Sequence, residues 1–168
     1  HKDMRRKSGE PYIYHPLAVA QICVEEIGLG TTSIISALLH DVVEDTNVTL
    51  QDIEKQFNPK IASIIDGLTK ISGVFDQGSS QQAENFRKML LTLSDDVRVI
   101  LIKLADRLHN MQTLDALAPE KQRSIAQETQ EVYAPLAHRL GIWELKWQLE
   151  DLSFRYLEPG KYRQIAEL

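Results

Sequence analysis

The sequence is poor in the residues that mark secreted, membrane-inserted and nucleic-acid-binding proteins. It has one cysteine, Cys23, so no internal disulfide can form, and we expect a reducing compartment, the cytoplasm. The 24 acidic residues outnumber the 19 lysines and arginines, and a net charge of −5 argues against binding nucleic acid or a membrane surface. No apolar run is long enough to span a bilayer, and no signal-peptide pattern is present.

The secondary-structure pattern is helical along the whole chain. No segment shows sustained alternation of apolar and polar residues, and there is no internal repeat or low-complexity tract. We therefore predict an all-α domain over residues 1–168, an irregular bundle of about eight helices. The predicted elements are an extended segment at 12–15, helices at 16–27, 31–46, 49–57 and from Pro59, a loop at 72–80, and helices at 82–93, after an Asp95 cap, at 119–140 with a bend at Pro135, and at 142–156, before a short tail.

Local signals predict the ends and the buried faces of some of these helices. Gly28 and Gly30 should end the first helix. Thr49 and Asp52 should form a capping box, and Asn58 should cap the helix from Pro59. The side chains expected to face inward are Ile61, Ile64, Ile65 and Leu68 on that helix, and Val97, Ile100, Leu101, Leu104 and Leu108 on the helix after Asp95.

The most informative stretch is the predicted helix at 31–46. At about 100° per residue, six aliphatic side chains fall on one half of its surface. The other half carries two small residues, one imidazole and three carboxylates: Ser36, Ala37, His40, Asp41, Glu44 and Asp45. No cation accompanies these acids, although an ordinary surface helix mixes charges of both signs. We infer that a bound metal ion supplies the missing positive charge.

A second polar row follows the predicted helix after residue 95. Asp106, His109, Asn110 and Thr113 stand at i, i+3, i+4 and i+7, so they share one face. Such a row is by itself the solvated face of a helix or one wall of a site, and its spacing does not decide between the two. On chemical grounds a divalent ion suits two imidazoles and two carboxylates, and the available set is His15, His40, Asp41 and Asp106.

The first ten residues carry four cations, Lys2, Arg5, Arg6 and Lys7. This segment is either a solvated helix end and loop or a cationic rim beside an anionic ligand. Further along the chain, Lys103 and Arg123 are possible phosphate contacts, but we expect both to be solvated surface residues. Cys23, which stands among aliphatic residues, is expected to be a buried thiol.

Several segments resemble the hydrolase domain of the RelA/SpoT family, within the HD superfamily of metal-dependent phosphohydrolases. The similarity extends over essentially the whole chain. The general ligand pattern is a histidine, a His-Asp pair and a distant aspartate. The more specific segments are 6–12 (RKSGEPY), 14–16 (YHP), 39–46 (LHDVVEDT), 103–111 (KLADRLHNM) and 133–141 (YAPLAHRLG).

This resemblance implies hydrolysis of the 3′-pyrophosphate of guanosine 3′,5′-bis(diphosphate) and its pentaphosphate relative, with one Mn2+ ion as cofactor. It implies metal ligation by His15, His40, Asp41 and Asp106. Glu44 and Asp45 match the acids that the family uses to handle the attacking water. The matching nucleotide-binding residues are Arg6, Lys7, Ser8, Asn110 and Thr113. Gln112 stands where many relatives carry arginine.

Two other functions remain open at this point. One is an HD-type phosphatase of another nucleotide, such as NADPH, and the other is a regulatory module that binds the alarmone without cleaving it. The Glu44-Asp45 pair speaks against a binding-only module, which has no use for water-activating acids. The chain begins at His1 without methionine, so we expect an excerpt of a longer protein in which 157–168 approaches a synthetase domain.

Overall fold

The computed structural model describes residues 1–74 and 96–167. Within these ranges all the regular elements are helices, joined by turns and short irregular segments, and the one β feature is an isolated antiparallel bridge between Arg5 and Pro11. The all-α prediction is therefore confirmed. No helix in the described part is long and apolar enough to cross a membrane. The helices are α1 (Tyr14–Ile22), α2 (Thr31–Leu39), α3 (Val42–Asp45), α4 (Leu50–Gln56), α5 (Pro59–Val74), α6 (Val97–Gln112), α7 (Pro119–Glu128), α8 (Ala134–Arg139), α9 (Trp143–Leu157) and α10 (Pro159–Ala166).

Helix α6 runs through the middle of the domain and packs against α1, α2, α5 and α9. Its buried side chains belong to the main apolar cluster, which also contains Cys23, as the sequence predicted. Asp106 is buried on the same helix, only 8% exposed. A smaller apolar cluster lies between α4 and α5, where Ile61 and Ile65 are buried as their spacing predicted.

The predicted helix at 31–46 is interrupted at the His-Asp pair. Helix α2 ends at Leu39 and α3 begins at Val42. The His40 Nδ1 atom lies 2.6 Å from the carbonyl oxygen of Ala37, the acceptor that the N–H of Asp41 would use in a continuous helix. The imidazole thus occupies a backbone acceptor, and the chain turns where the two candidate ligands stand.

The assignment of faces on this segment also needs correction. Ser36 and Ala37, placed on the polar half, are completely buried, and His40 is 8% exposed. The aliphatic half is only partly buried because it divides between two neighbours. Ile34 and Leu38 pack against the main cluster, whereas Ile35, Leu39 and Val43 pack against the smaller one. Small side chains on the inner face let α2 approach the main core closely, so burial there does not require an aliphatic stripe.

The extended segment predicted at 12–15 is wrong, because α1 begins at Tyr14, two residues before Pro16. Proline is tolerated there because the first N–H groups of a helix have no internal partner. His15 therefore lies in the first turn of α1, and its side chain lies at the contact between α1 and α6. Gly28, with a φ of +78°, ends the π-helical turn (Cys23–Ile27) that continues α1, in agreement with the predicted stop.

The remaining expectations have mixed outcomes. The capping box of Thr49 and Asp52 and the Asn58 cap are present. The predicted bend near Pro135 is a π-helical turn (Thr129–Tyr133) between α7 and α8.

Three details of the prediction fail or fall elsewhere. Val97 was expected to face inward but is 51% exposed in the first turn of α6, whose cap is Asp96. The predicted short tail is helix α10, and α5 continues to Val74, into the expected loop. The helix at 82–93, the rest of the loop at 75–80 and Asp95 lie outside the described residues.

Candidate metal centre

Four side chains from three parts of the chain converge between α1, the α2–α3 turn and α6. Each of them offers one ligand atom, and the four atoms all lie within 4.8 Å of one another. They are the atoms predicted to hold a divalent ion, from His15, His40, Asp41 and Asp106. His15 Nε2 lies 2.7 Å from Asp106 Oδ1, and His40 Nε2 lies 3.1 Å from Asp41 Oδ2 and 3.4 Å from Asp106 Oδ1.

The two imidazoles are fixed through their Nδ1 atoms. His40 uses Nδ1 on the Ala37 carbonyl, as described above, so its Nε2 atom points into the group. His15 Nδ1 lies 2.6 Å from His109 Nδ1, and its Nε2 atom faces Asp106. Metal-binding histidines in proteins are commonly oriented in this way by a partner on the second ring nitrogen. Both rings are therefore held with Nε2 towards a common centre.

The electrostatics of the cluster favour a cation at its centre. Burial disfavours charge on His40, yet the hydrogen bonds and charges of Asp106 and Asp41 raise the pKa of this imidazole to about 10. Burial alone would raise the pKa of Asp106, but Lys103, His15 and His40 hold it well below the usual range. Carboxylates that attract a proton to His40 this strongly attract any positive ion placed between them.

The donor set fits a divalent transition-metal ion. Two imidazole nitrogens and two carboxylate oxygens are ligands for Mn2+, Fe2+ or Zn2+ and leave coordination positions open for water and substrate. The residues that would hold the ion are His15, His40, Asp41 and Asp106, each supported by a neighbouring polar group. Tyr12 donates a short hydrogen bond to Asp41 Oδ2, and the Asn110 amide lies 3.4 Å from Asp106 Oδ2.

Lys103 was expected at the solvated surface and is not there. Its side chain is 17% exposed, and its ammonium lies 3.7 Å from Asp106 Oδ2. Although burial opposes it, the Asp106 carboxylate raises the pKa of Lys103. A half-buried cation next to a candidate ligand was not foreseen because lysines are usually solvated. Arg123, by contrast, is exposed, as expected.

Glu44 and Asp45 lie on α3, directly after the His-Asp pair. Partial burial and the nearby Asp41 carboxylate raise the pKa of both acids above their ordinary values. Asp45 Oδ2 lies 3.2 Å from His1 Nε2, and the His1 ring stacks at a tilt on Tyr12 with 4.7 Å between centroids. The acids therefore stand beside the cluster without being members of it, as general acid–base groups do.

A pocket of about 550 Å³ adjoins the cluster on the side of Asp45 and Asn110. Its walls come from the first turns of the chain, α6 and α7. All five residues predicted to bind nucleotide line it, which are Arg6, Lys7, Ser8, Asn110 and Thr113. The cationic start of the chain is thus one wall of this pocket, which favours the rim hypothesis over the solvated loop.

The sequence prediction did not single out two further groups at this pocket. Arg107 lines the pocket, and its guanidinium stacks on the Tyr133 ring at 4.3 Å from the centroid and binds Glu128 at 2.5 Å. Tyr12 lines it beside Asp41. Arg107 follows Asp106 in the sequence and Tyr12 ends the 6–12 segment, but only the fold shows which way their side chains point.

Comparison with known proteins places these observations in a family. The HD domain family model matches residues 1–143. The chain is 56% identical over its full length to a protein of Synechocystis sp. named probable guanosine-3′,5′-bis(diphosphate) 3′-pyrophosphohydrolase, of which it covers 22%. It is 52% identical to the bifunctional (p)ppGpp synthase/hydrolase SpoT of Escherichia coli, of which it covers 24%.

A solved structure gives the same result for the fold. It is described as a metazoan ortholog of SpoT that hydrolyzes ppGpp, and it superposes with a TM-score of 0.70 at 25% identity over 92% of this chain and 87% of its own. The chain spans about a quarter or less of the length of the curated relatives quoted above. With the helical fold, the four converging ligand atoms and a family match over 1–143, the chain belongs to the HD domain family.

Proposed function

We propose that this domain is a metal-dependent guanosine-3′,5′-bis(diphosphate) 3′-pyrophosphohydrolase, which converts the tetraphosphate to GDP and the pentaphosphate to GTP with release of pyrophosphate. The observation that carries the proposal is the group of four ligand atoms within 4.8 Å, next to a pocket lined by three cations of the first segment, Arg5, Arg6 and Lys7. The substrate class is that named for the relatives at 56% and 52% identity. We propose Mn2+ as the ion and the cytoplasm as the compartment.

The pocket suits a nucleotide that carries several negative charges. Arg6 and Lys7 supply positive charge, and Ser8, Asn110 and Thr113 supply groups that form hydrogen bonds. Arginine also stacks on a planar base, a role that the position of Arg6 on the pocket wall allows. Asn110, on the pocket wall, lies against Asp106, so the pocket adjoins the cluster at this point. We propose that the 3′-pyrophosphate of a bound nucleotide lies on this side of the pocket.

Water attacks the phosphorus bonded to the ribose 3′-oxygen, and the O3′–P bond breaks. The 3′-oxygen takes up a proton to become a hydroxyl, and pyrophosphate leaves with the oxygen of the water. A divalent ion at the four ligands supplies Lewis-acid stabilisation of the phosphate charge. We assign Glu44 as the base that accepts the proton of the attacking water, because Asp45 is already engaged with His1. The pKa of both acids is raised, which brings each of them closer to the working pH. Asp45, held by His1 and lining the pocket, positions that water.

Within a longer protein, we propose that this domain works beside a synthetase domain of the same chain. The support is the description of the Escherichia coli relative as a bifunctional synthase/hydrolase, of which this chain matches 24%. A Mycobacterium leprae relative at 51% identity is named probable GTP pyrophosphokinase. None of the site residues described above is suited to transferring pyrophosphate from ATP, so we assign hydrolysis alone to this domain.

The test is hydrolysis of a panel of nucleotides by the purified domain with Mn2+, followed by chromatography of the nucleotide products and by assay of both released pyrophosphate and released phosphate. The panel contains guanosine tetraphosphate, the pentaphosphate, GTP and NADPH, and we expect the first two to have the highest kcat/KM. Asp106→Asn should abolish turnover, whereas Asp66→Asn, the same change at a surface ion pair with Lys70, should not. Preference for another nucleotide would refute the substrate assignment. Tight binding of the tetraphosphate without turnover would make the domain a regulatory module.

A further inference from the structure

Arg6 makes a forked contact that reaches two of the four candidate metal ligands. One arm, Nη1, lies 3.2 Å from His109 Nδ1, and the other, Nη2, donates to Asn110 Oδ1 at 2.9 Å. His109 Nδ1 is also 2.6 Å from His15 Nδ1, and Asn110 Nδ2 is 3.4 Å from Asp106 Oδ2. The side chain of Arg6 is only 16% exposed, so the protein encloses most of it and holds the guanidinium in this position.

The chemistry of arginine assigns the protons along the first arm. A guanidinium can donate hydrogen bonds but cannot accept them. His109 Nδ1 must therefore present its lone pair, and the ring carries its proton on Nε2. Because the same atom faces His15 Nδ1, the hydrogen between the two rings belongs to His15. His15 Nε2 is then the ring atom that offers its lone pair to a metal ion.

The second arm acts in the same manner. Since Arg6 donates to Asn110, the atom it meets is the amide oxygen, and the amide nitrogen is turned towards Asp106. That nitrogen contacts Asp106 Oδ2 and leaves Oδ1 facing the two imidazoles, at 2.7 and 3.4 Å. Arg6 thus favours, through His109, the arrangement in which Nε2 of His15 faces the cluster. Through Asn110, and together with Lys103 at Oδ2, it favours the arrangement in which Oδ1 of Asp106 does so.

We infer that Arg6 and His109 are positioning residues of the metal site, in addition to the place of Arg6 in the nucleotide pocket. The inference deepens the proposed function, because it links the pocket wall to the metal ligands. The inference predicts a direction of change in Mn2+ affinity that is opposite to the one expected from charge alone. A cation near the site repels Mn2+, so removing one should tighten metal binding. Loss of a positioning residue should weaken it, commonly by about 10- to 100-fold.

The experiment is calorimetric titration of the nucleotide-free domain with Mn2+ alone. We expect His109→Phe, which keeps a ring but has no acceptor, to bind Mn2+ about 10- to 100-fold more weakly than the wild type. His109→Gln keeps an acceptor and should recover most of the affinity. Arg6→Met should bind Mn2+ about tenfold more weakly although it removes a positive charge. The double variant should lose less than the product of the two single losses, because the two side chains act in one path.

Arg5→Met is the matched control. Arg5 is exposed and donates to the Gly9 carbonyl, so its loss removes the same charge from the same segment without touching the ligands. It should bind Mn2+ as tightly as the wild type or more tightly. Circular dichroism confirms folding, and Arg6→Met, which lies outside the helices, tests the inference even if His109→Phe is unstable.

Unchanged or tighter Mn2+ binding by Arg6→Met would overturn the inference, and so would equal weakening by His109→Gln and His109→Phe. Because no nucleotide is present, these results are independent of the substrate assignment. A domain that failed to hydrolyse the tetraphosphate but showed this metal-binding pattern would refute the proposed function and leave the positioning role intact.

Discussion

At the scale of single residues, the division of labour between Glu44 and Asp45 can be measured. Glu44→Gln removes the proposed proton acceptor but no metal ligand. We expect kcat to fall by about 10²- to 10⁴-fold, the usual contribution of a general base, with Mn2+ content unchanged. Asp45→Asn should raise KM as well, because Asp45 lines the pocket. Steady-state kinetics with metal analysis checks both expectations. An unchanged kcat for Glu44→Gln would show that another group accepts the proton.

Lys103 gives a second prediction at this scale. Its ammonium, 3.7 Å from Asp106 Oδ2, offsets part of the negative charge buried in the cluster. Lys103→Met should lower the free energy of unfolding of the metal-free domain by about 3 kcal/mol, the lower end of the cost of breaking a buried pair. Lys103→Arg, which keeps the charge, is the control.

Mn2+ should restore part of the stability lost in Lys103→Met, since the ion replaces the missing charge. Urea denaturation with and without Mn2+ measures this. Equal stability of Lys103→Met and the wild type in the absence of metal would show that the ammonium does not compensate Asp106.

At the scale of elements, Asp96 fixes the start of the helix that carries Asp106 and the polar row. Its carboxylate caps α6 by accepting from the Arg98 N–H, binds the Arg98 guanidinium and lies 2.9 Å from Lys60 Nζ on α5. Arg98 and Lys60 hold the pKa of Asp96 well below its ordinary value, against the effect of burial. A lowered pKa stabilises the fold above the unfolded pKa of about 4, and the contribution is lost as the pH falls below it.

We therefore expect Asp96→Ala to lower the free energy of unfolding at pH 7 by about 1 kcal/mol, the usual cost of losing a cap. Asp96→Asn keeps a capping oxygen and loses the charge. Its deficit relative to the wild type should be present at pH 7 and shrink towards pH 3. Urea denaturation at both pH values tests this, and a deficit that grows in acid would contradict the sign.

Prediction from sequence succeeded where the determinants are local. Asp52, three residues after Thr49, sufficed to predict a capping box, and helical spacing sufficed to predict that Ile61 and Ile65 are buried. The break between α2 and α3 could not be read in this way, because a side chain, His40, takes the backbone acceptor at Ala37. The helical Tyr14 and His15 were missed for a related reason, since a general rule about residues before proline does not hold in a first helical turn.

In the candidate site, too, local features could be predicted from the sequence, whereas contacts that depend on the fold could not. The chemistry of the residues suggested the four ligands, and the resemblance implied the same four. Their convergence is a property of packing that spacing alone does not determine. The contact of His109 with Arg6 joins segments about 100 residues apart. The low exposure of Lys103 depends on neighbours from other parts of the fold. No pattern within one helix contains that information.

At the scale of the whole molecule, the metal site ties together elements that are distant in the chain. Its ligands come from α1, the α2–α3 turn and α6, so an ion bound to all four stabilises the folded state but not the unfolded one. Mn2+ at 100 times its Kd should add about 2.7 kcal/mol to the free energy of unfolding. For a chain of this size that corresponds to a rise in Tm of roughly 5 to 10 °C.

Asp106→Asn should lose this gain in Tm, whereas Asp66→Asn on the surface of α5 should keep it. Differential scanning calorimetry with Mn2+ and with a chelator gives the comparison. A rise in Tm of equal size in both variants would place the stabilising ion elsewhere in the domain.

The central claim is that one cation sits among four side chains from three parts of the fold. The most direct test is a crystal structure with Mn2+, with the ion located by its anomalous scattering. We predict one strong peak within about 2.5 Å of Nε2 of His15 and His40 and of a carboxylate oxygen of Asp41 and Asp106. A peak held instead by Glu44 and Asp45, or none between the imidazoles, would contradict the account.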